Sequence, residues 1–160
     1  MKVDAAALID ILKSEKEAYQ DLLDLSKKEQ GLIVEGDAEG LIDVVRAEER
    51  LMFVVRDLED RRQALLYEEA PDRKQSPPKL STIVKNFDEQ AASEALRLKN
   101  EILLIVNDLS ETKQTNGELL KRSISYVNHM LMMLLPVESP TYSNKPNPQS
   151  SSPRLFDGRA

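Results

Sequence analysis

The tripeptide Glu35-Gly36-Asp37 separates two long amphipathic segments, residues 3–34 and 38–69, and leaves almost no chain between them. In both segments apolar residues recur at intervals of three and four, which is the period of an α-helix. Gly36 is suited to the left-handed conformation that closes a helix, and Asp37 can cap the next one. A link this short between helices of about 48 Å each predicts an antiparallel hairpin.

A third helix is predicted over residues 88–135, because no proline interrupts this stretch and apolar residues keep the helical period. At about 72 Å it is longer than the hairpin arms, so its last third, from about residue 120, is expected to extend beyond them. Asn116 and Gly117 form a poor helical pair just before that point, and we predict a hinge there.

The connection between the hairpin and the third helix contains three prolines over residues 70–79, which indicates a loop. Residues 80–87, LSTIVKNF, are expected to form a short helical turn capped by Ser81 that packs Ile83, Val84 and Phe87 over the end of the hairpin.

The predicted fold class is therefore all-α: an elongated antiparallel helical hairpin with a long third helix, forming a coiled-coil-like three-helix bundle. We expect one helical domain over residues 1–135. Residues 136–160 are rich in Pro, Ser and Asn and predict a disordered, flexible tail, because such a segment buries too little apolar surface to offset its ordering entropy.

Four charged residues, Glu15, Glu29, Glu48 and Arg62, fall on the apolar stripes of the hairpin helices. They could recognise a partner. The preferred interpretation is that they set the register of the helices or lie where the seam is open to water.

Composition excludes several classes of function. A net charge of −6 argues against nucleic-acid or anionic-membrane binding, which usually needs a basic face. The longest apolar run, Met130 to Leu135, is far shorter than the roughly 20 residues that span a bilayer.

Asp4 and Asp10 interrupt the apolar pattern near the N-terminus, so no secretory signal is expected there. The absence of cysteine fits a reducing compartment, and we predict a cytoplasmic location.

Catalysis has little support in the sequence. The single histidine, His129, lies inside an apolar helical run, and no phosphate-binding or nucleophile motif is present. Neighbouring carboxylates such as Glu48 and Glu49 point apart on a helix, so they do not form an acid–base pair. We predict no enzymatic activity, no cofactor and no metal site.

The stretch YVNHMLMMLLP, residues 126–136, is apolar on nearly all sides of the predicted helix. A helix of this kind is normally buried, and no other apolar element remains in the chain to cover it. Three interpretations stay open: a binding site for a partner, which we prefer, self-association as a structural coiled-coil homodimer, and internal burial after folding back at Asn116-Gly117. Methionine side chains are flexible and suit surfaces that accept varied helices.

Residues 115–143, TNGELLKRSISYVNHMLMMLLPVESPTYS, resemble the C-terminal part of the FlgN family of flagellar type III export chaperones. The shared features are Asn116-Gly117 followed by Leu119-Leu120, an apolar helical end, a proline, and then Thr141-Tyr142. The first half is similar in plan: a helix, a turn with Gly-Asp, and a helix ending in LEDRR, residues 58–62. The resemblance covers most of residues 5–143.

The resemblance implies an all-helical cytoplasmic chaperone that binds the terminal helical segments of hook–filament junction proteins and delivers them to the export gate. It implies that Tyr142 contacts the cytoplasmic domain of the export-gate protein. It also implies a client-binding set at the end of the third helix: Leu119, Leu120, Ile124, Val127, Met130, Leu131, Met133 and Leu134.

Overall fold

The computed structural model describes residues 3–67 and 78–135, which form four α-helices, one short 3-10 helix and no strand. The fold is all-α, as the sequence predicts. The elements of this part of the chain are α1 (Ala5–Glu35), α2 (Ala38–Tyr67), α3 (Leu80–Ile83), the 3-10 helix (Val84–Asn86) and α4 (Glu89–Leu134), the last being the predicted third long helix.

The turn between α1 and α2 has the predicted chemistry. Gly36 takes a left-handed conformation with φ 75° and ψ 25°, and its N–H donates to the carbonyl oxygen of Ile33. The Asp37 carboxylate accepts a hydrogen bond of 2.9 Å from the N–H of Gly40. These bonds satisfy backbone groups that helix ends leave without partners, so a two-residue link suffices to reverse the chain.

Side-chain contacts establish the directions of the three long helices. Between α1 and α2, Ser26 contacts Glu48, whereas Glu15, which lies earlier in α1, contacts Arg62, which lies later in α2. These two helices are therefore antiparallel. Between α1 and α4, contacts advance together along both helices, from the pair Lys13–Glu94 to the pair Glu29–Lys113. Helix α4 therefore runs parallel to α1.

Three aspartates cap the long helices. Asp4 accepts from the amides of Ala6 and Ala7, Asp37 caps α2, and Asp88 accepts from the amide of Ala91 at 2.7 Å. Each carboxylate satisfies amides of a first helical turn, where negative charge is also favoured by the helix dipole.

The prediction that Ser81 caps the short helical turn is wrong. Helix α3 begins at Leu80, after Lys79, and the amides of Thr82 and Ile83 donate to the backbone carbonyl of Lys79 instead of to a side chain. Ile83 and Val84 are buried as expected, and Phe87 packs against the same core cluster.

Two apolar clusters form the core of the bundle. The larger joins α1, α2, α3, the 3-10 helix and α4, and the smaller joins α1 and α2 with Leu109 of α4 packed against it. The larger contains Val3, Leu8, Ile9, Leu12, Leu66, Ile83, Val84, Ala95 and Leu98; the smaller contains Ala18, Leu22, Val55 and Leu58.

The chain divides into two compact units, Met1–Lys121 and Arg122–Ala160. Most of the predicted loop at 70–79, and all of the predicted tail at 136–160, lie outside the described residues. The division into a helical domain over residues 1–135 and a flexible tail over residues 136–160 stays a prediction.

Candidate functional site

The C-terminal part of α4 carries a row of exposed apolar side chains. Every side chain from Leu120 to Leu135 is exposed. Within the second unit, Ile124, Val127, Leu131 and Leu134 follow one another at intervals of three, four and three residues, so they line one side of the helix. Such a row has the spacing that helices use to pack against other helices.

A second apolar row lies beside the first. Tyr126, Met130 and Met133 each precede a member of the first row by one position, which places them about 100° around the helix. Met132 adds a further apolar side chain and is 75% exposed. At its end this helical segment is therefore apolar around most of its circumference, as the sequence predicts.

The predicted client-binding residues differ in exposure. Leu119, in the first unit, is partly buried, whereas Leu120 is exposed. The remaining six belong to the second unit and are exposed: Ile124, Val127, Met130, Leu131, Met133 and Leu134. Their assignment to a client stays a prediction.

A polar layer crosses the first unit and consists of Ser26, Glu29, Glu48, Lys113 and Asn116, of which all but Lys113 are buried. The Nζ of Lys113 lies 2.7 Å from the Oε2 of Glu29 and 2.6 Å from the Oε2 of Glu48. The hydroxyl of Ser26 donates to Glu48, and the side-chain amide of Asn116 donates to the carbonyl oxygen of Ser26 and to Glu29. The layer ties α1, α2 and α4 together.

The electrostatics of this layer favour a charged Lys113. Partial burial opposes the ammonium charge, but hydrogen bonds to Glu29 and Glu48 outweigh that cost, so the pKa of Lys113 is raised above its ordinary value. One cation is thus held between two carboxylates that are themselves almost fully buried. Such pairing depends on the correct alignment of α4 with the hairpin, because a shift of one turn would leave both carboxylates without a partner.

The predicted hinge residues lie inside the continuous helix α4. Asn116 is only 2% exposed and belongs to the polar layer. Gly117 is exposed, and a Cβ atom added there would meet nothing within 4 Å. A hinge at this pair stays a prediction.

A second polar cluster joins α1 and α2 through Glu15, Tyr19, Glu59 and Arg62. The Nε of Arg62 donates to Glu15 at 2.9 Å, and the hydroxyl of Tyr19 donates to Glu59. Burial raises the pKa of Glu15, although the neighbouring Arg62 acts in the opposite direction. Burial and the bond to Glu59 likewise raise the pKa of Tyr19 above its ordinary range.

The four charged residues that interrupt the predicted seams thus contact other side chains of the bundle. Glu15, Glu29 and Glu48 are buried, so they do not lie where the seam is open to water, and a role in setting the helix register stays a prediction. Sequence reasoning missed Lys113 and Ser26. A signal for Lys113 was present, because it lies three residues before Asn116 and therefore on the same side of the helix. Ser26 gave no comparable signal, since a small hydroxyl next to Leu25 looks like an exposed position.

The chemistry of the described residues is that of helix packing. No group of acidic or histidine residues that could hold a metal ion occurs among residues 3–67 and 78–135. No helix in this described part of the chain is long and apolar enough to cross a membrane. His129 is exposed within the apolar segment. The most distinctive surface in the second unit is its exposed apolar helix.

Comparison with known proteins decides the family. Residues 1–150 match the family model described as FlgN protein. The chain belongs to the FlgN family. No curated protein and no solved structure matches the chain. Membership confirms the resemblance seen in the sequence.

FlgN proteins are flagellar export chaperones, so the general role predicted for the chain, a chaperone of flagellar biogenesis and protein export, is confirmed. The FlgN family is one of chaperones and not of enzymes. Tyr142, the predicted export-gate contact, falls within the matched span but lies outside the described residues.

Proposed function

We propose that this FlgN protein binds hook–filament junction proteins through the apolar end of α4 and delivers them to the type III export gate. The client-binding surface consists of the eight predicted residues from Leu119 to Leu134, and the ligand is the terminal helical segment of a junction protein. The complex forms in the cytoplasm, before export, and keeps the client from assembling.

The observation that carries this proposal is the exposure of the apolar side chains in residues 122–135. Leu134 and Met132 are each 75% exposed, and the two neighbouring apolar rows present a surface wider than one helix seam. Fully covering about six such side chains would contribute on the order of 10 kcal/mol before the costs of association. An amphipathic client helix offers the complementary apolar face.

The side-chain types support a client helix as the ligand. Leu131 and Leu134 provide a regular apolar row, whereas Met130 and Met133 provide flexible side chains that can adjust to different contours. Charged residues are absent from positions 123–135, so a client helix meets no buried unpaired charge there. This combination favours binding of helices that share apolar spacing but differ in sequence.

The test compares two double variants of the full chain. Val127→Glu with Leu131→Glu places two charges in the first apolar row, and Ser125→Glu with Asn128→Glu places two charges at exposed polar positions of the same segment. Titration calorimetry with purified junction proteins is expected to show at least 100-fold weaker binding for the first pair only. Equal affinity for both pairs and the unmodified chain would contradict the proposal.

Self-association through the same surface is the outcome that must be distinguished. Sedimentation of the chain alone, followed by sedimentation with one junction protein, separates the two cases. We expect a client to bind one chaperone chain. A tight dimer that loses association with the Val127→Glu and Leu131→Glu changes, and that does not bind junction proteins, would favour a structural homodimer instead.

Delivery to the export gate is proposed to depend on Tyr142. Replacing Tyr142 with Ala is expected to leave client affinity unchanged while lowering the amount of junction protein exported by cells. Phe is the matched control, because it keeps the ring and removes only the hydroxyl. A loss of client affinity in the Ala variant would show that Tyr142 belongs to the client site.

A further inference from the structure

Helix α2 carries an exposed apolar surface on its outer side, separate from the predicted client-binding residues. We call this surface the α2 outer face; it consists of Ile42, Val45, Glu49, Met52, Phe53 and Arg56. Phe53 is 70% exposed and Met52 is 44% exposed. The core-facing residues Val44, Glu48, Val55 and Leu58 lie on another side of the same helix, so packing of the bundle does not explain these apolar residues.

Two opposite charges flank the apolar centre of this face. Glu49 lies three residues before Met52, and Arg56 lies three residues after Phe53. They are separated by about 10.5 Å along the helix, too far to pair with each other. Neither forms an ion pair or side-chain hydrogen bond within residues 3–67 and 78–135. A shallow cavity of about 330 Å³ is lined by these two residues together with Met52 and Phe53.

We propose that the α2 outer face binds the same face of a second copy of this chain, with the two α2 helices antiparallel. The two-fold axis passes between Met52 and Phe53, so Met52 of one copy packs on Phe53 of the other. Because Glu49 and Arg56 are equally far from that axis, Glu49 then lies opposite Arg56 of the second copy. Two-fold symmetry repeats both contacts.

The charge pattern favours a second copy with this orientation. In an antiparallel pair each exposed charge meets its opposite, whereas a parallel pair in register would place Glu49 against Glu49 and Arg56 against Arg56. The four central apolar side chains lose contact with water in the same arrangement. A face of six residues is smaller than a standard stable interface, so we expect a weak dimer with a dissociation constant on the order of 100 µM.

Charge reversal provides a sharp test. Full-length Glu49→Arg and Arg56→Glu variants are each expected to weaken self-association at least tenfold, because like charges then face each other twice. The double variant, Glu49→Arg with Arg56→Glu, is expected to regain it. An equimolar mixture of the two single variants is expected to associate more strongly than either alone, since each face then meets a face of opposite charge.

The measurement is sedimentation equilibrium from about 10 µM to about 1 mM, since association follows mass action. The parent and all variants in this experiment also carry Val127→Glu and Leu131→Glu. These two changes prevent association through the apolar end of α4, so any association that remains is due to another surface. Circular dichroism checks that the variants keep the helical content of the parent chain. Any of three results would overturn the proposal. The parent chain could remain monomeric over the whole concentration range, the single variants could associate as strongly as the parent, or the mixture of single variants could associate no more strongly than each variant alone.

Discussion

The side-chain nitrogen of Asn116 lies 2.8 Å from the backbone carbonyl oxygen of Ser26, and this hydrogen bond joins α4 to α1 inside the bundle. The same nitrogen donates to Glu29 at 3.0 Å. Both Asn116 and Ser26 are buried, so water cannot replace the amide if it is removed.

Asn116→Ala is therefore expected to lower the free energy of unfolding by about 1–3 kcal/mol, through loss of a buried donor to Glu29 and creation of a small void. Asn107→Ala is the matched control, because Asn107 is an exposed residue of the same helix and should change stability by about 0.5 kcal/mol or less. Urea unfolding followed by circular dichroism measures both. Equal effects at the two positions would contradict the role of Asn116.

Lys113 supplies the positive charge of the polar layer and pairs with both of its carboxylates. Lys113→Met keeps the unbranched apolar stem of the side chain, one atom shorter, but leaves the carboxylates of Glu29 and Glu48 without a cation. Because Lys113 is 41% exposed, solvent reduces the cost, and we expect a loss of about 1–3 kcal/mol in the free energy of unfolding. Urea unfolding at neutral pH provides the measurement.

A thermodynamic cycle separates the ionic contribution from lost packing. Adding Glu29→Gln and Glu48→Gln to Lys113→Met is expected to restore most of the lost stability, because the repulsion between two carboxylates is removed when neutral amides replace them. If the Gln changes destabilise the Met variant as much as they destabilise the unmodified chain, the charges in the layer do not interact as described.

Glu15 gives the bundle a pH dependence of predictable sign. Its pKa is higher in the folded chain than in the unfolded chain because burial outweighs the attraction of Arg62. The folded state therefore binds the proton more tightly, and ionisation of Glu15 costs stability as the pH rises through the folded pKa. Below the unfolded pKa this cost disappears.

Gln at position 15 resembles the protonated acid, so Glu15→Gln is expected to be more favourable for stability at pH 7 than at pH 4, relative to the unmodified chain. Glu17→Gln, an exposed position of α1, corrects for removal of one negative charge. The measurement is urea unfolding at several pH values. If the free energy of unfolding of Glu15→Gln, relative to that of the unmodified chain, falls as the pH rises, the sign is the opposite of the one expected and the burial argument is wrong.

Much of this fold is predictable from sequence because its determinants are local. The helix period, Gly36 and Asp37 predict the hairpin without knowledge of distant contacts. The partners of Glu29 and Glu48 are not local: Lys113 follows them by more than sixty residues, and its role depends on how α4 aligns with the hairpin. The apolar row from Ile124 to Leu134 is visible in the sequence, whereas the identity of the ligand proposed for it cannot be read from the same residues.

Gly36 and Gly31 offer a paired test of the turn. Gly36 has a positive φ of 75°, which a side chain disfavours, so Gly36→Ala is expected to destabilise the bundle by about 1 kcal/mol. Gly31 lies within α1, where an added Cβ meets nothing within 4 Å, so Gly31→Ala is expected to stabilise by about 0.5–1 kcal/mol. Thermal unfolding should show opposite shifts, and shifts of the same sign would contradict this account of the turn.

A substitution at Gly117 tests whether α4 bends at the predicted hinge when it binds a client, because client affinity and stability are expected to change in opposite directions. A Cβ at this helical position has open space, so Gly117→Ala is expected to raise the free energy of unfolding by about 0.5–1 kcal/mol through better helix propensity. If binding a junction protein requires α4 to bend at Asn116-Gly117, the stiffer helix should bind the client several-fold more weakly.

The control for this hinge experiment is Gly31→Ala, which stiffens α1 by the same chemistry at a position with no predicted role in client binding. Calorimetric titration of a junction protein into each variant gives the affinities, and urea unfolding gives the stabilities. Weaker binding in Gly117→Ala alone supports a hinge. If both variants gain stability and both keep the affinity of the unmodified chain, α4 binds its client as a straight helix and the hinge prediction is wrong.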